Sequence, residues 1–166
     1  MTSKQHIITV FNVELEGIDK CGKDTLRNTL LSVFPNVCSI KARGILSQLA
    51  YQQLYNRPWS YPVTEGYIKN TLIVKLDVDK EDWFNRLKAS NEIENNAKRS
   101  DVDFVADYDR HTKVFEGAWN YLRSLDIAKD YQDHFICFNT SKQSVLEIAA
   151  QITQHLVYLN NINEEK

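Results

Sequence analysis

The feature that most constrains the fold is a glycine–lysine signature in the segment GIDKCGKDT, which runs from Gly17 to Thr25. Gly17, Gly22 and Lys23 satisfy the spacing G-x4-G-K of phosphate-binding loops. Gly22 lets the backbone curl so that N–H groups point at an anion, and a helix that begins after the loop adds partial positive charge. Lys23 would reach the β- and γ-phosphates of a nucleotide. The predicted nucleotide-binding residues of this loop are Gly17, Ile18, Asp19, Lys20, Cys21, Gly22, Lys23, Asp24 and Thr25.

The residue after the loop lysine departs from this signature. Asp24 occupies the place where Ser or Thr normally holds magnesium, and Thr25 follows one position later. The Asp24 carboxylate is a good hard-oxygen ligand for Mg²⁺. The same acid would also favour the positive end of the helix dipole, with Thr25 supplying any hydroxyl. A third interpretation is that metal binding has been lost. Asp24 and Thr25 are the predicted metal ligands, and the three interpretations stay open.

The apolar pattern alternates between strand-like and helix-like segments along the chain. A β-branched segment precedes the loop, and a helical pattern follows it until Pro35. This order predicts an α/β fold with a mostly parallel sheet of about four to five strands, covered by helices on both faces. The predicted strands cover 6–15, 36–42, 71–78 and 134–138, the predicted helices cover 25–34, 45–55, 80–88, 104–122 and 145–159, and a loop covers 56–66.

Length and composition exclude several classes of protein. The chain has 166 residues, which predicts a single domain over residues 1–166. Its 20 Lys and Arg against 22 Asp and Glu give a net charge of −2, so nucleic-acid binding is not expected as its main activity. Three cysteines without CxxC spacing fit a reducing compartment better than a disulfide framework. Because we find neither a signal-peptide pattern nor an apolar run of about 20 residues, we expect a cytoplasmic protein without a membrane partner.

The most polar stretch in the body of the chain is ASNEIENNAKRSDVD, residues 89–103. We expect it to form a mobile lid between helical segments. Lys98 and Arg99 would close over the site and exclude water, and Arg99 is assigned to catalysis. A pair of solvated charges on a loop explains the same two residues, and both interpretations stay open.

Four blocks of the sequence resemble thymidylate kinases. The loop GIDKCGK, residues 17–23, resembles the family's Gly-x-Asp-Arg-x-Gly-Lys loop. The block ARGILSQLAYQ, residues 42–52, is similar to the family's Asp-Arg-aromatic-x-x-Ser-x-x-Ala-Tyr-Gln. Residues 76–90 are similar to the strand and helix that lead into the family's lid, and residues 137–152 to its closing strand, adenine-side loop and final helix. The blocks cover the chain nearly end to end, so the resemblance implies a P-loop kinase fold of three layers.

The resemblance implies a small nucleotide kinase that transfers the γ-phosphate of ATP to a deoxynucleoside monophosphate such as dTMP, with Mg²⁺. In the family, the loop acid contacts the sugar of the accepting nucleotide and the loop basic residue contacts the transferred phosphate; Asp19 and Lys20 hold these positions here. Arg43 ends the second predicted strand beside the loop, where it would bind a second phosphate. The predicted catalytic residues are Lys23, Lys20, Arg43 and Arg99, the predicted substrate-binding residues are Asp19, Arg43, Ser47, Tyr51 and Gln52, and Asn139 and Thr140 are predicted to border the adenine.

The acceptor side departs from the family pattern. Ala42 replaces the family's acid, and Gly44 replaces its aromatic residue. Only residues 34–36 separate the first predicted helix from the second strand, so the family's additional strand and helix are expected to be missing. Two other functions stay open: transfer to another acceptor, such as a nucleoside or a modified base, and nucleotide binding without catalysis. The shortened form suggests a viral or mobile-element version, and a homodimer is the expected assembly.

Overall fold

The centre of the fold is a parallel β-sheet of short, strongly apolar strands. The computed structural model describes residues 11–33, 39–58, 63–90 and 101–164. They contain the strands β1 (Asn12–Glu16), β2 (Ser39–Ala42), β3 (Thr71–Asp77) and β4 (Phe135–Asn139). The strands lie in the order β2-β1-β3-β4, and every neighbouring pair is parallel. The first six residues of β3 are buried, as expected for a central strand covered on both faces.

Helices connect these strands. They are α1 (Lys23–Val33), α2 (Ile45–Leu54), α3 (Glu65–Lys69), α4 (Lys80–Ala89), α5 (Asp101–Ser124) and α6 (Val145–Glu164), with a 3₁₀ helix at Asp126–His134. The short helix α3 begins where the Thr64 side chain accepts a hydrogen bond from the Tyr67 N–H. Among the helices described, none combines the length and the apolar character that crossing a membrane requires.

The helices cover both faces of the sheet. Connections between parallel strands are right-handed in nearly all proteins. β2 lies on one side of β1 and β3 lies on the other, so the connections through α1 and through α2 cross opposite faces. α1 packs against α6, and α2 packs against α5. Buried apolar side chains fill the spaces between the layers, among them Leu15, Leu26, Leu30, Leu49, Leu72, Phe115 and Ile152.

The predicted fold class is confirmed, because helices flank an all-parallel sheet of four described strands. The first helix begins at Lys23, two residues before its predicted start, since its N-terminus belongs to the glycine–lysine loop. The short helix α3 and the 3₁₀ helix were not predicted, because their apolar patterns are too short to show a helical period. Residues 91–100 lie outside the described residues, and with them most of the predicted lid, including Lys98 and Arg99. The helix α5 begins at Asp101, inside the segment predicted as a lid.

Candidate functional site

The candidate site lies at the carboxyl edge of the sheet. In parallel sheets, ligands bind beyond the carboxyl ends of the strands, at the point where the strand order reverses. Here β2 and β3 flank β1, and β1 leads directly into residues 17–22, which we call the phosphate loop. Arg43 follows β2, and Thr140 follows β4. The topology therefore brings the loop and the ends of the other strands to one edge.

Side chains of α4 hold two successive carbonyl groups of the phosphate loop. Trp83 Nε1 donates to the carbonyl of Asp19 at 3.0 Å, and Arg86 Nη1 donates to that of Lys20 at 2.8 Å. Lys20 has a φ of +63°, in the left-handed region that non-glycine residues rarely adopt. Such a conformation persists only where the surroundings hold it. The helix α4 therefore fixes the strained part of the loop.

A third loop carbonyl is held from the end of β4. Thr140 Oγ1 donates to the carbonyl of Cys21 at 2.8 Å and lies 3.2 Å from Arg86 Nη1. Because a trans peptide is planar, the N–H of the next residue points away from each held carbonyl. The N–H groups of Lys20 and Gly22 are thereby directed toward the other side of the loop. Gly22 has a φ of +104°, which its lack of a side chain permits.

The loop lysine is buried against the loop. Only 7% of Lys23 is exposed, and its Nζ donates to the carbonyls of Gly17 and Ile18, each at 2.7 Å. The ammonium also lies 3.6 Å from the Cys21 sulfur. Burial raises the pKa of the Cys21 thiol, and the nearby Lys23 opposes this only in part. Hydrogen bonds to the loop therefore hold the positively charged Lys23 ammonium in a fixed position beside it.

The phosphate loop borders a large cavity of about 810 Å³. This volume lies within the range of small-molecule and cofactor pockets. Asp24 and Thr25 are exposed in the first turn of α1, and both lie on the cavity wall. The residues that line the cavity are Asp19, Lys20, Gly22, Lys23, Asp24, Thr25, Ala42, Arg43, Arg86, Thr140, Gln143, Ser144 and Val145.

Arg43 lies on the same cavity wall and contacts the phosphate loop. Its Nη2 donates to Asp19 Oδ1 at 2.5 Å, and its guanidinium lies 5.8 Å from the centre of the Tyr51 ring. The side chains of Arg43 and Asp19 are 53% and 62% exposed, so both remain accessible to a ligand. The structure thus brings together two of the five residues predicted for the acceptor, Asp19 and Arg43.

The other residues predicted for the acceptor do not line the large cavity. Ser47 is buried, and its hydroxyl donates to the Glu16 carboxylate. Tyr51 is half-buried, with its ring centre 5.8 Å from that of Phe115. The Oε1 atom of Gln52 is buried and accepts no hydrogen bond within the described residues. None of the three lines the large cavity, because the inner face of α2 packs against the sheet and α5.

A small cavity of about 240 Å³ lies on the other side of the loop, beside β3. Gly17 and Ile18 line it, together with Asn139, which donates from Nδ2 to Asp79 at 2.9 Å. Asn139, predicted to border the adenine, therefore borders this cavity instead of the large one. The remaining lining residues are Lys75, Leu76, Asp77, Val78, Asp79, Tyr108, Thr112, Phe115 and Glu116.

The described residues contain no group of three acidic, histidine or cysteine side chains that could hold a metal ion. Magnesium, however, is normally bound through one or two carboxylates together with substrate phosphates. Asp24 and Thr25 offer a carboxylate and a hydroxyl on the wall of the large cavity, so they fit a metal that arrives with a nucleotide.

Sequence reasoning missed three residues that shape the site. Arg86 lies in the block 76–90, where its position on the loop side of α4 depends on tertiary packing. Glu14 and Glu16 are 2% and 0% exposed on β1. Two carboxylates at alternate positions of a central parallel strand are unusual, because such strands are normally apolar throughout. That pattern in the sequence could have identified them.

Burial raises the pKa of Glu16 to about 7, although hydrogen bonds from Ser47 and Gly44 favour the charged form. The carboxylate of Glu14 lies close enough to raise the pKa of Glu16 further. The Glu16 carboxylate, which accepts hydrogen bonds from the first N–H groups of α2, therefore titrates near neutral pH. Neither Glu14 nor Glu16 lines the large cavity.

Comparison with known proteins supports the fold. No family model matches the sequence, and no curated protein matches it. Among solved structures, the chain is similar to the YorR protein from Bacillus subtilis, which was crystallised in complex with phosphorylated GDP. The TM-score is 0.57 at 16% identity, and the match covers 93% of this chain and 98% of YorR. The shared arrangement is consistent with a P-loop kinase-like fold and does not single out thymidylate kinases.

Proposed function

We propose that the chain is a small nucleotide kinase that transfers the γ-phosphate of ATP to a deoxynucleoside monophosphate, with dTMP as the first acceptor to test. The observation that carries the proposal is the large cavity, because Lys23, residues of the phosphate loop and Arg43 all line it. One end offers backbone donors and an ammonium, and the other offers a guanidinium. The nucleotide bound to YorR supports a nucleotide ligand for this fold.

Phosphoryl transfer needs positioning and positive charge more than covalent help from the protein. An oxygen of the acceptor phosphate forms the new bond to the γ-phosphorus, and the bond to the bridging oxygen breaks, so that ADP leaves. Lys23 and the loop N–H groups would hold the donor phosphates, and Lys20 and Arg43 would neutralise charge on the transferred group. Mg²⁺, held by Asp24 or Thr25 together with the phosphates, would neutralise further charge.

The two nucleotides would enter the cavity from different sides. Thr140 lies beside the loop at the end of β4, with Gln143 and Ser144 on the same wall, so the adenine of ATP is assigned to this side. Arg43 and Asp19 form the opposite side, which is assigned to the acceptor phosphate and sugar. The acceptor base would meet the exposed edge of Tyr51 beside Arg43, since Ser47 is occupied by Glu16.

The proposal is tested by measuring ATP consumption across a panel of nucleosides and nucleoside monophosphates, with products separated by chromatography. The Lys23→Ala variant is the blank. We expect ADP and a deoxynucleoside diphosphate to form in equal amounts, and only with the parent protein. Turnover with nucleosides but not with monophosphates would assign a different acceptor. ATP binding without any turnover would contradict the kinase assignment.

A second candidate, nucleotide binding without catalysis, is favoured by one observation. Ala42 lies on the wall of the large cavity, where the thymidylate kinase pattern has an acid, so this position offers the acceptor no carboxylate. The ATP-consumption panel separates the two candidates. The single-domain organisation, the cytoplasmic location, the homodimer and the viral origin stay predictions.

A further inference from the structure

The N-terminus of α2 is held by two buried carboxylates of β1. The first N–H groups of a helix have no partner within the helix. The N–H of Ile45 donates to Glu14 Oε1 at 3.0 Å. Those of Leu46 and Ser47 donate to Glu16 at 3.2 and 3.0 Å. A central strand thus satisfies these donors, where most helices use a local capping side chain.

The helix and the carboxylates are closely fitted to each other. A Cβ atom on Gly44, the residue before α2, would overlap the Glu14 carboxylate, so a capping side chain there would displace that carboxylate. The Tyr67 hydroxyl of α3 donates to both oxygens of Glu14. A local cap would satisfy the same N–H groups without burying two acids, which is costly unless they are fully paired. The buried pair does what a local cap cannot, because it fixes α2 to the strand that runs into the phosphate loop.

Arg43 lies between the start of α2, which Glu14 and Glu16 hold, and the phosphate loop. Its φ of +83° is rare for a non-glycine residue and requires support from its surroundings. Its N–H donates to the carbonyl of Leu15 at 2.9 Å, between Glu14 and Glu16 on β1. Its guanidinium reaches Asp19 in the loop that continues from the same strand. β1 therefore supports the backbone of Arg43, the helix that follows it and the loop that its side chain contacts.

We propose that Glu14 and Glu16 are positioning residues for Arg43. By fixing the start of α2 to β1, they hold the Arg43 guanidinium at Asp19, where the acceptor phosphate would bind. The ligand in this inference rests on the proposed function, whereas the position of Arg43 can be measured without any ligand. Two experiments therefore separate a failure of this inference from a failure of the proposed function.

The first experiment uses NMR on the ligand-free protein. In Glu16→Gln we expect amide hydrogen exchange at Leu46 and Ser47 to accelerate by about ten-fold or more. We also expect the Arg43 guanidinium resonances to move toward those of the exposed Arg110. Faster exchange with unchanged Arg43 resonances would show that Glu16 only caps the helix, and would overturn the proposal.

A milder variant keeps the test valid if Glu16→Gln does not fold. Tyr67→Phe removes one donor to Glu14 and leaves both carboxylates in place. We expect a smaller movement of the Arg43 resonances in the same direction. Unchanged Arg43 resonances in Tyr67→Phe, together with faster exchange at Ile45, would overturn the proposal in the same way.

The second experiment measures binding of ATP and dTMP by calorimetry. We expect Glu16→Gln to weaken dTMP binding by about ten-fold and to change ATP affinity by less than about two-fold. In an Arg43→Ala background, Glu16→Gln should cause no further loss, because it acts through Arg43. Equal losses for both nucleotides, or additive losses in the double variant, would contradict the proposal. A parent protein that binds ATP but no monophosphate would refute the proposed acceptor, and the NMR comparison would still decide the role of Glu16.

Discussion

Two sides of the large cavity differ: the loop side is formed by the phosphate loop and Lys23, and the α2 side by Arg43 and the start of α2. On the loop side, backbone carbonyls accept hydrogen bonds from side chains of other elements, as that of Lys20 does from Arg86 at 2.8 Å. On the α2 side the roles are reversed, because backbone N–H groups donate to the buried carboxylates of Glu14 and Glu16. The loop side thereby turns the N–H of Gly22 away from the held carbonyl of Cys21, whereas the α2 side uses its N–H groups within the protein. The group that the α2 side offers to a ligand is the Arg43 side chain. The loop side should therefore depend on Lys23 and, to a smaller extent, on the side chains that hold the loop, and the α2 side should depend on one position and on pH.

The largest effect is expected from Lys23→Ala, which removes the only ammonium buried in the phosphate loop of the described structure. A charge-assisted contact contributes about 1.5–3 kcal/mol, and Lys23 would contact more than one phosphate oxygen. We expect ATP affinity to fall by about a hundred-fold or more. Calorimetric titration measures this, with the exposed Lys142→Ala as the matched control. Equal ATP affinity in Lys23→Ala and the parent would remove the phosphate-loop interpretation.

Lys23→Ala should also lower thermal stability, because the carbonyls of Gly17 and Ile18 lose their donor. Leaving such groups without a partner costs about 1–3 kcal/mol each when they stay buried. Circular dichroism should show an unchanged helical signal at 25 °C and a lower melting temperature. An unfolded variant would make its loss of ATP binding uninformative, and Lys23→Met would replace it.

The pH dependence of stability tests the α2 side. Glu16 has a pKa of about 7 in the folded protein, against an ordinary value of 4.5, so the folded state binds this proton more tightly than the unfolded state. The contribution to stability is therefore present below pH 4.5 and is lost as pH rises to 7. At about 1.4 kcal/mol for each pH unit, the loss is about 3 kcal/mol. Urea unfolding between pH 4.5 and 8 should show this decrease in the parent and not in Glu16→Gln.

The control for this measurement is Glu147→Gln, which changes an exposed acid on α6. Its free energy of unfolding should follow the parent across the same pH range. If Glu16→Gln and the parent have the same pH dependence, Glu16 ionises in the folded protein at its ordinary pKa, and the raised pKa is contradicted.

A smaller effect is expected when the support of the loop is weakened from outside. Arg86→Ala removes the hydrogen bonds to Lys20 and Thr140 and leaves Lys23 in place. We expect ATP affinity to fall by about ten-fold, or 1.4 kcal/mol. The control is Arg110→Ala, an exposed arginine of α5. A loss as large as that of Lys23→Ala would mean that Arg86 contacts the nucleotide directly.

The smallest effect concerns the metal. If Asp24 holds Mg²⁺, Asp24→Ala should raise the Mg²⁺ concentration needed for tight ATP binding by several-fold, and Thr25→Ala should raise it less. The measurement is ATP affinity across a magnesium titration, with the parent beside both variants. The reverse ranking would assign the metal to Thr25. No dependence on magnesium in any of the three proteins would support the interpretation that metal binding has been lost.

The sequence predicted the loop side well because its chemistry is local. Gly22 and Lys23 lie next to each other, and the loop separates β1 from α1 as the spacing requires. The supports of the loop were not predictable, because Arg86 lies 66 residues from its partner Lys20 and Thr140 lies 119 residues from its partner Cys21. A single sequence carries no signal for contacts of that kind.

The α2 side was predicted less well, because residues one or two turns apart on a helix share a face only approximately. Ser47 was expected to meet the acceptor, yet it is buried against Glu16. Arg43, which precedes the helix, does lie on the cavity wall. Its position follows from the end of β2 at the carboxyl edge of the sheet, a property of topology that the strand pattern predicts.

The central claim is that two ends of one cavity hold two different phosphates. The most direct measurement is a crossed calorimetric titration of the parent, Lys23→Ala and Arg43→Ala with ATP and with the monophosphate that the parent binds best. We predict that Lys23→Ala loses ATP binding and that Arg43→Ala weakens monophosphate binding by about ten- to a hundred-fold while its ATP affinity changes little. If Arg43→Ala weakens both nucleotides equally, or if the parent binds no monophosphate at millimolar concentration, the claim is contradicted.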